Sequence, residues 1–147
     1  MPDASETGRA SAFVDTNIWV YAHLKVPGDT RHERALAVVH GWAELVISPQ
    51  VVAEYYSVML RNAQTDVWIQ ANLRAMFLRT KLQPANAETV STALALRKRL
   101  AFSFWDCQIA AAALHARCAI LLTADLQHGQ VLEKCLRVVN PFRQPVA

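Results

Sequence analysis

Four of the chain's twelve acidic residues occupy positions that a solvated surface charge would not choose. Asp15 interrupts an apolar run in SAFVDTNIWVYA, and Glu54 sits among apolar neighbours in PQVVAEYYSVM. Asp106 opens the alanine-rich SFWDCQIAAAA, and Asp125 follows the apolar segment of AILLTADLQHG. Taken singly, most have an ordinary explanation. Asp15 and Asp106 could serve helix starts, where a carboxylate meets the positive end of the helix dipole. Asp125 could belong to a turn. Glu54 fits such an explanation worst, because a glutamate beside an apolar helix face needs a partner. Gathered at one place, the four would repel and raise one another's pKa values. A divalent cation removes that conflict, and an all-oxygen donor set suits Mg²⁺ or Mn²⁺ rather than zinc. Such an ion activates water and stabilises charge building on a phosphate, so the chemistry expected of the cluster is hydrolysis of a phosphodiester.

Whether the four acids meet depends on the elements that carry them. Residues 12–15 read as a short buried strand and 17–24 as a helix, broken by Pro27 and Gly28. Thr30 is the expected N-cap of a helix to about residue 42, with Ala35, Leu36, Val39 and Trp42 on one face. ELVIS, 44–48, is a second strand; Ser48 and Pro49 then suit the cap and first residue of a helix to about Asn62. Asp66 is expected to cap a helix over 67–79, and KLQPA supplies a brief third strand. Helices are expected over 86–99 and 105–117, with strands at 118–123 (CAILLT) and 135–140 (CLRVVN).

Apolar strands alternating with helices indicate an α/β fold, a three-layer α/β/α sandwich with a mainly parallel central sheet. In such a sheet the loops after parallel strands share one edge, and ligand sites form there, near the point where strand order reverses. Asp15 and Asp125 end strands on that edge. Asp106 and Glu54 stand in the first turns of helices and can face the same edge.

At 147 residues the chain suits a single domain, expected over 11–147. The polar leader MPDASETGRA, 1–10, lacks the apolar segment of a secretory signal and is expected to be disordered. Hydrophobic residues make up 53%, yet no uncharged apolar stretch approaches the roughly 20 residues of a membrane span. Cys107, Cys118 and Cys135 form no CxxC pair, which suits reduced thiols and a cytoplasmic protein. Five scattered histidines, without HExxH or a Cys/His cluster, argue against zinc. The net charge of +3 permits a polyanionic partner without demanding one.

FVDTNIWVYA, QVVAEYYSVM, SFWDCQIAAAA and AILLTADLQHGQ, in this order, resemble the PIN domain family, specifically the VapC-type toxin ribonucleases of bacterial toxin–antitoxin pairs. The resemblance runs from residue 13 to about 130. It implies that Asp15, Glu54, Asp106 and Asp125 are the acidic set around Mg²⁺ or Mn²⁺. Asn17 and Thr123 match supporting polar positions that orient a carboxylate or metal-bound water. Thr16 also matches, or serves only the helix start. The family's PIN-like α/β/α fold agrees with the alternation of strands and helices, and its activity implies an RNA substrate and a VapB-like antitoxin partner. Many relatives carry a further acid near His128, where this chain reads LQHG, and the difference implies a weaker hold on metal.

Basic residues that could meet a phosphate backbone include Lys25, Arg31, Arg34, Arg61, Arg74, Arg79, Lys81 and the run Arg97 to Arg99. Trp19, Tyr55 and Trp105 neighbour the acidic segments and could stack on bases, although core packing is the commoner use of an aromatic. The apolar helices over 49–79, with Trp19 and Val20, are the expected surfaces for a homodimer and for the antitoxin. A non-catalytic RNA- or partner-binding module on the same fold is the alternative. Acids concentrated at one site argue against it, because they repel RNA unless a metal intervenes. A phospho-acceptor receiver domain fits poorly, since Asp15 has no acidic neighbour.

Overall fold

Short, uninterrupted apolar runs make the centre of the sheet. In the computed structural model, which describes residues 10–143, β1 (Ser11–Val14) buries Ala12, Phe13 and Val14 completely. β2 (Glu44–Ile47) leaves no more than 3% of Leu45, Val46 or Ile47 exposed. Successive strand residues point to opposite faces, so strands buried at every position require cover on both sides. That cover comes from six helices among the described residues: α1 (Thr16–His23), α2 (Arg31–Gly41), α3 (Pro49–Arg61), α4 (Asp66–Arg79), α5 (Ala87–Arg99) and α6 (Phe104–His115). α1 packs on α2 and α3, α3 on α4, and α5 on α6.

The remaining strands are β3 (Thr80–Leu82), β4 (Ile120–Leu122), β5 (Val131–Leu132) and β6 (Leu136–Val139). Strand order is β3-β2-β1-β4-β6-β5, parallel throughout except for the antiparallel β5–β6 pair. The chain first builds outward from β1 through β2 to β3, then returns to add β4 on β1's other side. This is the mainly parallel α/β arrangement expected from the sequence, and it places the reversal of strand order beside β1. α6 reaches the sheet through four consecutive buried alanines, Ala110 to Ala113, so this stretch of the helix is covered on every side.

Caps explain where several helices start, and two differ from expectation. Ser48 Oγ accepts from the Val51 amide at 3.4 Å, with Pro49 opening α3 as expected. Thr30 makes no side-chain cap; the Arg31 amide donates instead to Asp29 Oδ1 at 2.9 Å. Thr65, not Asp66, caps α4, accepting from the Trp68 amide at 3.2 Å. Asp66 is thereby free to accept from the Tyr56 hydroxyl and from Gln70 Nε2. Threonine and aspartate are both good caps, so two in succession leave the start ambiguous by one residue.

β5 has no counterpart in the sequence reading. It is joined to β6 by a tight turn in which Glu133 (φ 51°) and Lys134 (φ 62°) both adopt left-handed backbone. The Cys135 amide closes it on the Leu132 carbonyl at 3.1 Å. Such a turn is normally announced by Asn-Gly or Asp-Gly, and Glu-Lys carries no such signal. All three cysteines are free, Cys107 and Cys118 buried and Cys135 exposed. No helix among the described residues is long and apolar enough to cross a membrane. The expected leader lies outside the described residues but for Ala10.

Candidate functional site

β1 and β4 are neighbours, so their carboxyl ends open side by side. The ladder continues one step beyond each strand: the Asp15 amide donates to the Leu122 carbonyl at 2.9 Å, and the Thr123 amide to Val139 at 3.1 Å. Backbone pairing therefore holds Asp15 and Thr123 in place before any side chain acts. Thr123 Oγ1 then donates to Asp15 Oδ2 at 2.7 Å, and the Thr16 amide donates to Asp15 Oδ1 at 2.7 Å. Asp15 is thus the N-cap of α1 as well as part of the acidic cluster. The two readings of this residue coexist.

The same network extends to the other acids. Thr123 Oγ1 accepts from the Asp125 amide at 3.1 Å, and Asn17 Oδ1 accepts from the Ala124 amide at 3.3 Å. The first bond folds the loop after β4 back on Thr123, and the second ties that loop to the start of α1. Thr16 Oγ1 donates to Glu54 Oε2 at 2.9 Å, so Thr16 serves the helix start and also orients an acid. Gln50 Nε2 donates to Glu54 Oε1 at 2.6 Å and to the Trp105 carbonyl at 3.2 Å, linking α3 to the turn that carries Asp106. Gln50 is the residue that sequence reasoning missed. Its only signal was a position one helical turn before Glu54, where i and i+4 side chains meet.

Electrostatics bind the four acids into one system. Burial pushes the Asp15 carboxyl up to about 6, against the opposing bonds from Thr123 and Thr16, and the charges of Asp125 and Glu54 push the same way. Asp125 is also raised, first by partial burial and then by Asp106 and Glu54, with Asn17 opposing. Asp15 is only 5% exposed, Glu54 and Asp106 are half-buried, and Asp125 is exposed. Asp106 stands in the first turn of α6, whose cap Ser103 accepts from the Asp106 amide at 3.1 Å.

Asp15, Thr16, Asn17, Glu54 and Asp125 line one side of a cavity of about 390 Å³, facing an apolar wall that includes Val20, Leu24 and Val58. Asp106 is not on that wall; it joins the others through its charge on Asp125. Among the described residues the ion pairs are Arg31–Asp29 and Arg99–Glu133, and neither involves the four acids. Their charge is therefore gathered and partly desolvated without a cationic side chain to balance it. An oxygen-rich, anionic donor set of this kind suits a hard divalent cation. Among the described residues no group of three or more histidine, cysteine or acidic side chains is placed to hold a metal ion by itself, so a cation here would have to complete its shell with water, as Mg²⁺ commonly does.

The neighbouring aromatics divide. Trp19 and Tyr55 are core residues: Trp19 Nε1 donates to the Val14 carbonyl at 3.3 Å, and the Tyr55 hydroxyl meets His23 Nδ1 at 2.6 Å and Asn72 at 3.1 Å. Trp105 is 63% exposed. His128, where many relatives were expected to carry an acid, accepts from the Asn140 amide at 3.0 Å and so ties the loop after β4 to the end of β6.

Comparison with solved structures finds the same fold. A toxin–antitoxin complex from Klebsiella pneumoniae aligns with a TM-score of 0.69 at 19% identity, covering 90% of this chain and 99% of that one. VapBC2 from Rickettsia felis, bound to a DNA fragment from its promoter, aligns at 0.63 and 20% identity, covering 88% and 99%. The sarcin-ricin loop cleaving toxin VapC20 of Mycobacterium tuberculosis aligns at 0.61 and 19% identity, covering 78% and 91%. No curated protein matches the chain by sequence. The family model for the PIN domain matches residues 12–133, from β1 to the β5–β6 turn and across all four acids. With that match over most of its length, the chain belongs to the PIN domain family.

Proposed function

We propose that the chain is a Mg²⁺- or Mn²⁺-dependent endoribonuclease that hydrolyses RNA phosphodiester bonds, and the toxin of a toxin–antitoxin pair. One observation carries the enzymatic part: four electrostatically coupled carboxylates, without a cationic partner among the described residues, at the reversal of strand order. Asp15, Glu54, Asp106 and Asp125 would hold the metal. When bound, it supplies an activated water and stabilisation of the charge that builds on the attacked phosphate.

The chain's own residues prepare the acids for this task. Thr123 and the Thr16 amide hold the Asp15 oxygens, and the Thr16 hydroxyl and Gln50 hold those of Glu54. Carboxylates fixed in this way need little reorganisation when a cation and a phosphate arrive. Asp125 remains exposed and Asp106 half-exposed, so both can be reached by a strand approaching the edge of the sheet. A protein partner is supported by the structural neighbours, which include a toxin–antitoxin complex and VapBC2. Exposed apolar side chains on α4, Val67 and Leu78, and Leu60 on α3, offer surface for an antitoxin or a second copy.

The decisive experiment is cleavage of labelled single-stranded RNA by contaminant-free full-length protein with Mg²⁺ or Mn²⁺. Cleavage is expected, and EDTA, Asp15→Ala and Asp106→Ala are each expected to abolish it. Undiminished cleavage by either variant overturns the assignment. RNA binding with neither cleavage nor Mn²⁺-dependent thermal stabilisation would instead identify a non-catalytic binding module.

A further inference from the structure

Glu54 stands between two cavities. One is the acidic cavity already described; the other, of about 590 Å³, lies on its far side between α3 and α6. No lysine or arginine lines the second cavity among the described residues, and Glu54 is its one charged residue. It is therefore a poor receptor for a phosphate. Its wall is mostly apolar, with the amides of Gln50 and Gln108 as polar points; the Ser48 and Thr89 hydroxyls also line it but are engaged in helix caps. A mainly apolar cleft of several hundred Å³ with a few placed polar groups is the ordinary form of a small-ligand site.

Trp105 stands on the wall of this cavity, 63% exposed. The Phe104 ring meets the indole edge-on at 6.0 Å between centroids, and the Trp105 carbonyl accepts from Gln50. The indole is thus held at its base and open over most of its surface. Gln50 uses its Nε2 on Glu54 and Trp105, which leaves its Oε1 as an acceptor for a ligand. Gln108, one turn along α6 from Phe104, brings an amide able both to donate and to accept.

We infer that this cavity is a nucleobase subsite, taking an unpaired base of the RNA strand with its ring on the Trp105 indole and its polar edge on the Gln50 and Gln108 amides. The inference rests on the ribonuclease reading and adds to it where the base beside the scissile phosphate is held. Unpaired RNA is recognised in this manner, through aromatic stacking and hydrogen bonds to base edges. Glu54 is shared by both cavities, so a strand whose phosphate lies at the acids has a base within reach of the indole.

The test compares two probes on the full-length protein: a labelled single-stranded oligoribonucleotide, and a strand of equal length and charge whose riboses carry no bases. Affinities are read by fluorescence anisotropy in EDTA at low salt, so that neither strand is cut and the repulsion by the acids is common to both. Trp105→Ala is expected to weaken the base-bearing strand by about 5- to 150-fold, the range for losing one base–aromatic stack. Trp105→Phe should restore most of the loss, Gln108→Ala should change the preference among the four bases, and the abasic strand should bind all variants alike.

Equal loss for both strands, or no loss for either, overturns the subsite. So does a Trp105→Ala variant that keeps wild-type RNA affinity but loses self-association in sedimentation, which would make the cavity a protein interface. Wild-type protein that binds and cleaves RNA while Trp105→Ala is indistinguishable from it removes the subsite alone. Wild-type protein that neither binds nor cleaves RNA removes the subsite and the ribonuclease reading together.

Discussion

Asp15 and Asp125 lie just beyond the ends of adjacent parallel strands, yet the molecule treats them in opposite ways. Asp15 comes directly after β1 and caps a helix, so its carboxyl is enclosed, accepts two short hydrogen bonds and is pushed up to about 6. Asp125 comes three residues after β4, in a loop with no helix to cover it, and remains exposed. The difference lies in the element that each strand leads into. An immediate helix brings an acid into the structure, where it organises its neighbours. A loop leaves the acid available to whatever arrives from solvent.

The largest expected effect exploits that contrast through pH. Asp15 is protonated near 6 in the folded chain and near 3.8 when unfolded, so the folded state binds more protons between those values. Its contribution to stability is present below about pH 4 and is lost as pH rises through about 6, by on the order of 3 kcal/mol. His23 runs the other way, because burial lowers it from 6.5 to about 4, and its contribution is lost as pH falls through that window. Asp125 is raised as well and acts in the same direction as Asp15, so with His23 opposing only in part the wild-type stability should fall modestly between pH 4 and 6.5 in the absence of divalent cations. Asp15→Asn, which retains an oxygen for the α1 cap, should be more stable at pH 7 and should show stability rising with pH. Denaturant unfolding measures both, and parallel profiles for the two proteins would erase the distinction between the acids.

Next in size is the bond that holds Asp15 down. Thr123→Val preserves shape but leaves Asp15 Oδ2 and the Asp125 amide without their partner, and should cost about 1–3 kcal/mol in the same measurement. The smallest effect belongs to the exposed acid. Asp125→Asn should change stability by less than about 0.5 kcal/mol, as expected of a surface substitution, while lowering RNA cleavage. A stability loss from Asp125→Asn as large as that from Thr123→Val would show that the loop acid is as structural as the buried one.

The acids themselves were legible because a carboxylate within an apolar segment is costly, and four such residues in an alternating strand–helix chain suggest a common edge. The apolar strands were legible for a related reason: a run such as AILL has nowhere to go but a covered sheet. Gln50 was not legible, since a glutamine in the first turn of a helix has no chemistry of its own until Glu54 and the Trp105 carbonyl face it. The exposure of Trp105 was hidden as well. An aromatic beside an apolar helix usually packs inward, as Trp19 does, and the two occupy similar places in sequence. The β5–β6 turn escaped because Glu133 and Lys134 take left-handed backbone without the residues that usually favour it.

By itself, the sequence determined the kind of fold and the places of its acids: alternating apolar strands and helices, and carboxylates at their junctions. Those arise from local periodicity and from the cost of burying charge, both of which act on neighbouring residues. Only the tertiary structure decided which oxygens are held, which acid is enclosed and which aromatic faces solvent. The Thr123–Asp15 bond joins residues 108 positions apart and exists because β4 pairs with β1 in one register. A hydrogen bond needs its partners within about 3 Å. Spacing along the chain cannot provide that precision; strand pairing does.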